Sequence, residues 1–77
     1  MNLKERIFDY LKEHSHSTIQ DVSKALGVDD MSVLREINIM SKKGYVFMNT
    51  PVPLSDFNRN SNYYSVSKTE FNIKDFQ

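Results

Sequence analysis

The segment from Thr18 to Val46 constrains the fold most, because two amphipathic helical patterns stand there on either side of a glycine turn. The first pattern covers Ile19–Leu26, where apolar residues recur at helical spacing. Leu26-Gly27 ends this helix, because glycine tolerates the left-handed conformation that a helix C-terminus needs. We expect four side chains to face inward: Ile19, Val22, Ala25 and Leu26. We expect four to face outward: Gln20, Asp21, Ser23 and Lys24.

The second pattern runs from Asp30 to Lys43, and Asp29 or Asp30 can cap it by accepting hydrogen bonds from free N–H groups. At 100° per residue, three apolar residues fall within about 60° of one another. These residues are Val33, Ile37 and Met40. The opposite side carries Met31, Arg35, Asn38 and Lys42, flanked by Leu34 and Ile39. Helix, glycine turn and helix form a helix-turn-helix, whose second helix lies in a groove of nucleic acid.

The flanking segments predict a further helix and the strands of a small sheet. Asn2 to Glu13 reads as a helix with Asn2 as its N-cap, and its inward face is expected to consist of Leu3, Ile7, Tyr10 and Leu11. Ser17-Thr18 predicts a brief extended segment, after which Thr18 caps the next helix with Asp21 as its acidic partner. Two further strands are predicted at Tyr45–Asn49 and Asn62–Ser67. The segment between them, Thr50–Ser61, contains two prolines and predicts a long arm.

Composition narrows the possible functions. Ten basic residues balance ten acidic ones, which counts against a strong non-specific nucleic-acid binder, although residues 31–61 are mildly positive. The chain has no cysteine and no catalytic or metal-binding constellation, so we expect neither an enzyme nor a cofactor. The His-Ser-His sequence at 14–16 is interpreted as a solvated turn. No apolar run approaches the length of a membrane span, so we expect no membrane association and a cytoplasmic location.

The order helix, helix-turn-helix, strand, arm and strand resembles a winged helix-turn-helix DNA-binding domain. The resemblance is carried over residues 3–67 by the Leu26-Gly27 turn and by Val33, Arg35, Ile37, Met40, Gly44 and Val46. It implies an α+β fold of three helices and a two- or three-stranded antiparallel wing sheet. The expected order is helix, strand, helix, helix, strand, wing, strand. Residues 1–68 would form the domain, and residues 69–77 a tail that packs on it or on a dimer partner.

Such domains are usually transcription regulators, so the resemblance implies sequence-specific binding of double-stranded DNA. Helix 30–43 would enter the major groove, and loop 50–61 would lie on the flanking backbone. The residues expected at base edges are Ser32, Leu34, Arg35 and Asn38. Those expected at phosphates are Lys42 and Lys43, together with Asn58, Arg59 and Asn60 of the arm. Thr18 and Gln20 are also expected to contact DNA, since they stand at the start of the first helix of the motif, whose amide groups can meet a phosphate. So small a module is expected to bind as a homodimer on a two-fold site.

A narrower resemblance is to the winged helices that bind Z-form nucleic acid, carried by Arg35 and by the Thr50-Pro51-Val52-Pro53 sequence of the arm. Two positions depart from that family: its helix asparagine is Leu34 here, and its helix tyrosine is Asn38. The tryptophan of that family's arm has no counterpart. The choice between B-form and Z-form DNA therefore stays open.

Several of these residues have a second interpretation. Arg35 can pair with Glu36 or Glu5 on the surface, and Lys42-Lys43 can simply complement the helix dipole. Apolar side chains favour contact with a protein: Met31, Leu34 and Ile39 on the second helix of the motif, and Phe71, Ile73 and Phe76 in the tail. The alternative function is a winged-helix protein-interaction module, an adaptor or inhibitor that does not bind DNA.

Overall fold

The computed structural model describes residues 2–49 and 62–76 of the chain. The elements follow in the order α1 (Leu3–Glu13), α2 (Ile19–Leu26), α3 (Asp30–Lys42), β1 (Val46–Asn49), β2 (Tyr63–Val66) and a 3-10 helix (Ile73–Phe76). The predicted α+β class and the predicted element order are confirmed.

The sheet consists of two strands, and one of them also contacts the residue before α2. β1 and β2 pair antiparallel, from Val46 opposite Val66 to Asn49 opposite Tyr63. The short strand expected at Ser17-Thr18 is a single antiparallel bridge between Ser17 and Tyr64, in which each residue donates its N–H to the other's carbonyl. A bridge of this size ties the start of α2 to β2.

The helix boundaries follow the local signals in the sequence. The Asn2 side chain accepts a hydrogen bond from the Glu5 N–H at 2.9 Å. Thr18 and Asp21 form a complete capping box, with bonds of 3.1 and 3.2 Å between side chains and backbone N–H groups. Asp29, rather than its neighbour, caps α3 by accepting from the N–H three residues on. These caps satisfy N–H groups that a helix start leaves free.

The core lies between the three α-helices and one end of the sheet. Its buried members come from the three α-helices, from both strands and from the residue before β1: Ile7, Phe8, Leu11, Val22, Val33, Ile37, Met40, Tyr45, Val46 and Tyr64. The predicted inward face of α3 is confirmed. On α1 the prediction was incomplete, because it omitted Phe8 and included Leu3 and Tyr10, which are only half-buried. Phe8 lies beside the predicted core face and is buried because the rings of Tyr45 and of Phe71 in the tail pack against it.

The predicted division of α2 was wrong at two positions. Ser23 is buried, and Ala25 is exposed. The buried face of α2 is formed by Ile19, Val22 and Leu26 and is centred about 35° from Val22, so that Ser23 lies about 65° from its centre and Ala25 about 95°. A serine at this position is satisfied by hydrogen bonds, since its hydroxyl lies 3.1 Å from the Gln20 carbonyl and 2.5 Å from an Asp30 carboxylate oxygen.

The tail packs on the same core through aromatic side chains. The Tyr45 ring lies 5.6 Å from the Phe71 ring and 5.2 Å from the Phe76 ring, measured between centroids. Phe8 lies 5.8 Å from Phe71. The Tyr45 hydroxyl donates a hydrogen bond to the carboxylate of Asp75. The pKa of Tyr45 is raised, chiefly by this hydrogen bond and to a smaller extent by burial of the hydroxyl. The tail therefore packs against α1 and Tyr45, and it does not cover the outward face of α3.

Candidate nucleic-acid interface

The outward side of α3 forms a continuous exposed ridge, which we call the α3 ridge and define as Met31, Arg35, Asn38 and Lys42. All four side chains are exposed, and Met31 reaches 64% exposure. On a helix of 3.6 residues per turn they fall within about 60° of one another. With a rise of 1.5 Å per residue the ridge is about 16 Å long. An α-helix with one face uncovered over this length fits the major groove of B-form DNA.

The Arg35 guanidinium forms no ion pair with a carboxylate of residues 2–49 and 62–76, although its charge helps to lower the pKa of Asp29. Glu36, a predicted alternative partner, instead accepts from the Lys4 ammonium at 2.9 and 3.1 Å. That pair joins α1 to α3, and it is the one ion pair formed in the described part of the chain. The alternative in which Arg35 pairs with Glu36 or Glu5 is therefore wrong for the described residues. The Lys4–Glu36 contact holds the flank of α3 to α1 while the α3 ridge faces outward.

Ser32 lies on the side of α3 and not on the α3 ridge. It stands about 100° from Met31 around the helix and is half-buried. Its hydroxyl donates to an Asp29 carboxylate oxygen at 2.7 Å, and its N–H bonds the other oxygen at 3.0 Å. These two bonds lower the pKa of Asp29. The Ser32 hydroxyl is thus already engaged in the cap of α3.

Leu34, Thr18 and Gln20 come together beside the α3 ridge. They line an open depression of about 350 Å³, with Ile19, Asp30, Asn62 and Tyr64 as the remaining lining residues. Leu34 is half-buried at the edge of this depression, and Gln20 is exposed. The Thr18 hydroxyl already accepts from the Asp21 N–H. The structure therefore places the start of α2 next to the apolar flank of the α3 ridge.

The remaining predicted site residues lie at the end of α3 or in the arm. Lys43, expected in the last turn, is the C-cap of α3 and is exposed. It stands about 120° from Met31, so Lys42 and not Lys43 continues the α3 ridge. The arm residues Asn58, Arg59 and Asn60, like the whole of loop 50–61, lie outside the described residues.

Two contacts that position the candidate site were not predicted from the sequence. One is the Lys4–Glu36 pair, and the other is the bond from the Ser23 hydroxyl to Asp30, which links α2 to the first residue of α3. The signal for the second is a serine three residues before the end of α2 with an aspartate seven positions later. Such a pair becomes informative only once the angle between the two helices is known.

The residues that the structure describes contain no group of three His, Cys, Asp or Glu side chains placed to hold a metal ion. His16 lies instead among polar neighbours, with its Nδ1 3.3 Å from the Asn49 amide nitrogen and 3.4 Å from the Ser65 hydroxyl. Within the same residues, no helix is long and apolar enough to cross a membrane.

Comparison with known proteins identifies the architecture. The chain matches no protein-family model and no curated protein sequence. FabT of Streptococcus pneumoniae, solved in complex with DNA, is 25% identical with a TM-score of 0.72; the match covers 88% of this chain and 46% of FabT. The Zalpha domain of zebrafish PKZ, in its apo form, is 27% identical with a TM-score of 0.71 and coverages of 86% and 92%. PKZ Zalpha in complex with ds(CG)6 is 24% identical with a TM-score of 0.71 and coverages of 86% and 95%.

The transcriptional regulator SlyA has a TM-score of 0.72 at 11% identity, with 86% of this chain and 44% of SlyA covered. The chain thus spans about half the length of FabT and SlyA and nearly all of PKZ Zalpha. What these proteins share with it is three helices followed by an antiparallel sheet. The chain has the winged helix-turn-helix fold, as its sequence predicted.

Proposed function

We propose that this protein binds double-stranded DNA by inserting α3 into the major groove, and that it acts as a small, sequence-specific transcription regulator. One observation carries the proposal. α3 buries Val33, Ile37 and Met40 completely, while it leaves Arg35 and Asn38 exposed side by side on the opposite face. A helix that is anchored on one side and uncovered on the other can enter a groove without rearranging the core.

The proposed contacts follow from the chemistry of the side chains. Arg35 would bind guanine through its two parallel donors, and Asn38 would bind adenine through its amide. Lys42 and Lys43, at the other end of α3 from its acidic cap, would contact phosphates. Gln20, which is exposed in the first turn of α2, would contact the backbone through its side-chain amide. Thr18 and Ser32 would support DNA binding indirectly, by fixing the starts of α2 and α3, because their hydroxyls are already engaged in the helix caps.

Three structural neighbours support this proposal. FabT and PKZ Zalpha were both solved in complex with DNA, and SlyA is a transcriptional regulator. The proposal includes a homodimer on a two-fold site, because one domain of this size offers few phosphate contacts. We favour B-form DNA, because Leu34 and Asn38 stand where the Z-form-binding winged helices have an asparagine and a tyrosine.

A second candidate is a protein-interaction module. It is favoured by the 64% exposure of Met31 and by the balance of ten basic and ten acidic residues. In the tail, Phe71 and Phe76 pack on the chain's own core, so a partner would meet chiefly Ile73, which is 38% exposed. A DNA-free adaptor would use Met31 together with Leu34 and Ile39 on α3.

The test is fluorescence anisotropy with three labelled probes: a mixed-sequence duplex, an alternating CG duplex in the Z form, and a single strand. We expect the mixed duplex to bind most tightly, with an affinity that falls steeply as salt rises. Preference for the Z-form probe would contradict major-groove entry. Absence of duplex binding at low salt, with self-association in sedimentation velocity, would favour the interaction module instead.

A further inference from the structure

Two apolar side chains stand within a surface that is otherwise polar. Met31 is 64% exposed on the α3 ridge, and Leu34 is half-buried about 60° away, one turn further along. Neither residue belongs to the fully buried core, which α3 supplies from its other face. The apolar area exposed at this place is available to an apolar group of a bound partner, and its burial there would favour the complex.

The surroundings of these two side chains indicate what that group is. Asp29 and Asp30 stand at the same end of α3, and their carboxylates disfavour the approach of a phosphate. The basic residues Lys42 and Lys43 lie at the opposite end, more than two turns away. Charge along α3 therefore directs its acidic end toward the floor of the groove, where base edges lie, and its basic end toward the backbone.

On the floor of the major groove the apolar group is the C5-methyl of thymine. We infer that Met31 and Leu34 read thymine methyl groups, next to the bases that Arg35 and Asn38 contact. The inference rests on the proposed DNA-binding function and adds a base class to it. The target site would contain thymine at one or two positions adjacent to the contacted guanine and adenine.

The test begins with a duplex enriched by the protein from a random library. Each thymine of that duplex is then replaced by deoxyuridine, which removes the methyl group and keeps the base pair. We expect one or two replacements to weaken binding about fourfold, the factor that corresponds to one buried methyl-sized group. The reverse change, cytosine to 5-methylcytosine at positions without thymine, serves as a control for the effect of a methyl group on duplex stiffness.

Variants assign the methyl contact to its residues. Met31→Ala and Met31→Gln should bind the thymine and deoxyuridine duplexes equally at one position, and Leu34→Ala should do so at the neighbouring one. Met31 is exposed, so its variants are expected to fold, which keeps the test decisive if Leu34→Ala does not. Ile73→Ala, a truncation at an exposed apolar residue of the tail, should retain the full deoxyuridine effect.

The outcomes separate this inference from the function on which it rests. Tight binding with no deoxyuridine effect would overturn the inference and leave DNA binding intact. A deoxyuridine effect that persists undiminished in the Met31 and Leu34 variants would also overturn it, because the methyl would then be read elsewhere. Failure to enrich any duplex would overturn both, and would favour a protein as the occupant of these side chains.

Discussion

Removal of two side chains from the α3 ridge gives the sharpest prediction for binding. In the double variant Arg35→Ala and Lys42→Ala the domain loses one proposed base contact and one proposed phosphate contact. Both residues are exposed, and neither forms an ion pair within the described residues. We therefore expect the free energy of unfolding to change by less than about 0.5 kcal/mol. The loss should appear in binding.

The magnitude follows from the two contacts. A bidentate arginine–guanine contact contributes about 1–3 kcal/mol, so its loss weakens binding about 5- to 150-fold. Loss of the phosphate contact lowers the slope of log affinity against log salt by about 0.9. Between about 50 and 200 mM salt, the ratio of wild-type to variant affinity should therefore shrink by about 3.5-fold. Anisotropy titrations over this salt range measure both effects.

The matched control is Lys12→Ala with Lys74→Ala. These lysines are exposed on α1 and on the 3-10 helix of the tail, and their removal changes the net charge by the same amount. The control should keep the wild-type affinity for its duplex within about twofold and the wild-type salt slope. If both double variants lost affinity equally, binding would reflect net charge, and the assignment of Arg35 and Lys42 would be refuted.

Three further predictions concern the framework that holds α3. Gly27→Ala should lower stability by about 1–2 kcal/mol in urea unfolding, because Gly27 has φ of 70°, whereas Gly27→Asn should lose less. The pKa of Asp29 is lower in the folded state, so its ionised carboxylate stabilises the fold above about pH 4. This contribution is lost as pH falls through the lowered pKa. Asp29→Asn, which still caps the helix, should therefore lose stability less steeply on acidification. The pKa of Tyr45 is higher in the folded state, so its protonated hydroxyl stabilises the fold below about pH 10. This contribution is lost as pH rises through the raised pKa. Tyr45→Phe, which removes the bond to Asp75, should make alkaline unfolding less steep, leaving the part due to Tyr64, whose pKa is raised by burial.

The features predicted correctly are those that local physics determines. Capping side chains and the glycine after α2 set the ends of the helices, and the spacing of Val33, Ile37 and Met40 identifies the buried face of α3. These signals need no knowledge of tertiary structure. The order of the three helices and the two strands of the sheet could be predicted because each is marked by local signals of this kind.

The features that the sequence did not reveal depend on packing between distant segments. Phe8 is buried because the tail returns to cover it, and Ser23 is buried because Asp30 lies within hydrogen-bonding distance. Glu36 pairs with Lys4, which is 32 residues away, and not with its neighbour. On the sheet, Phe47 is 44% exposed although β1 pairs with β2 along its length, and the alternation of strand residues alone does not reveal this exposure.

The central claim is that the uncovered face of α3 is the surface that meets the duplex. The most direct measurement is a two-dimensional NMR titration of the isotopically labelled protein with a B-form duplex that it binds. We predict that the largest shift changes occur at Met31, Arg35, Asn38 and Lys42, and that signals from Ile73 and Lys74 in the tail stay in place. Changes confined to the tail, or spread evenly over the domain with the α3 ridge unmoved, would contradict the claim.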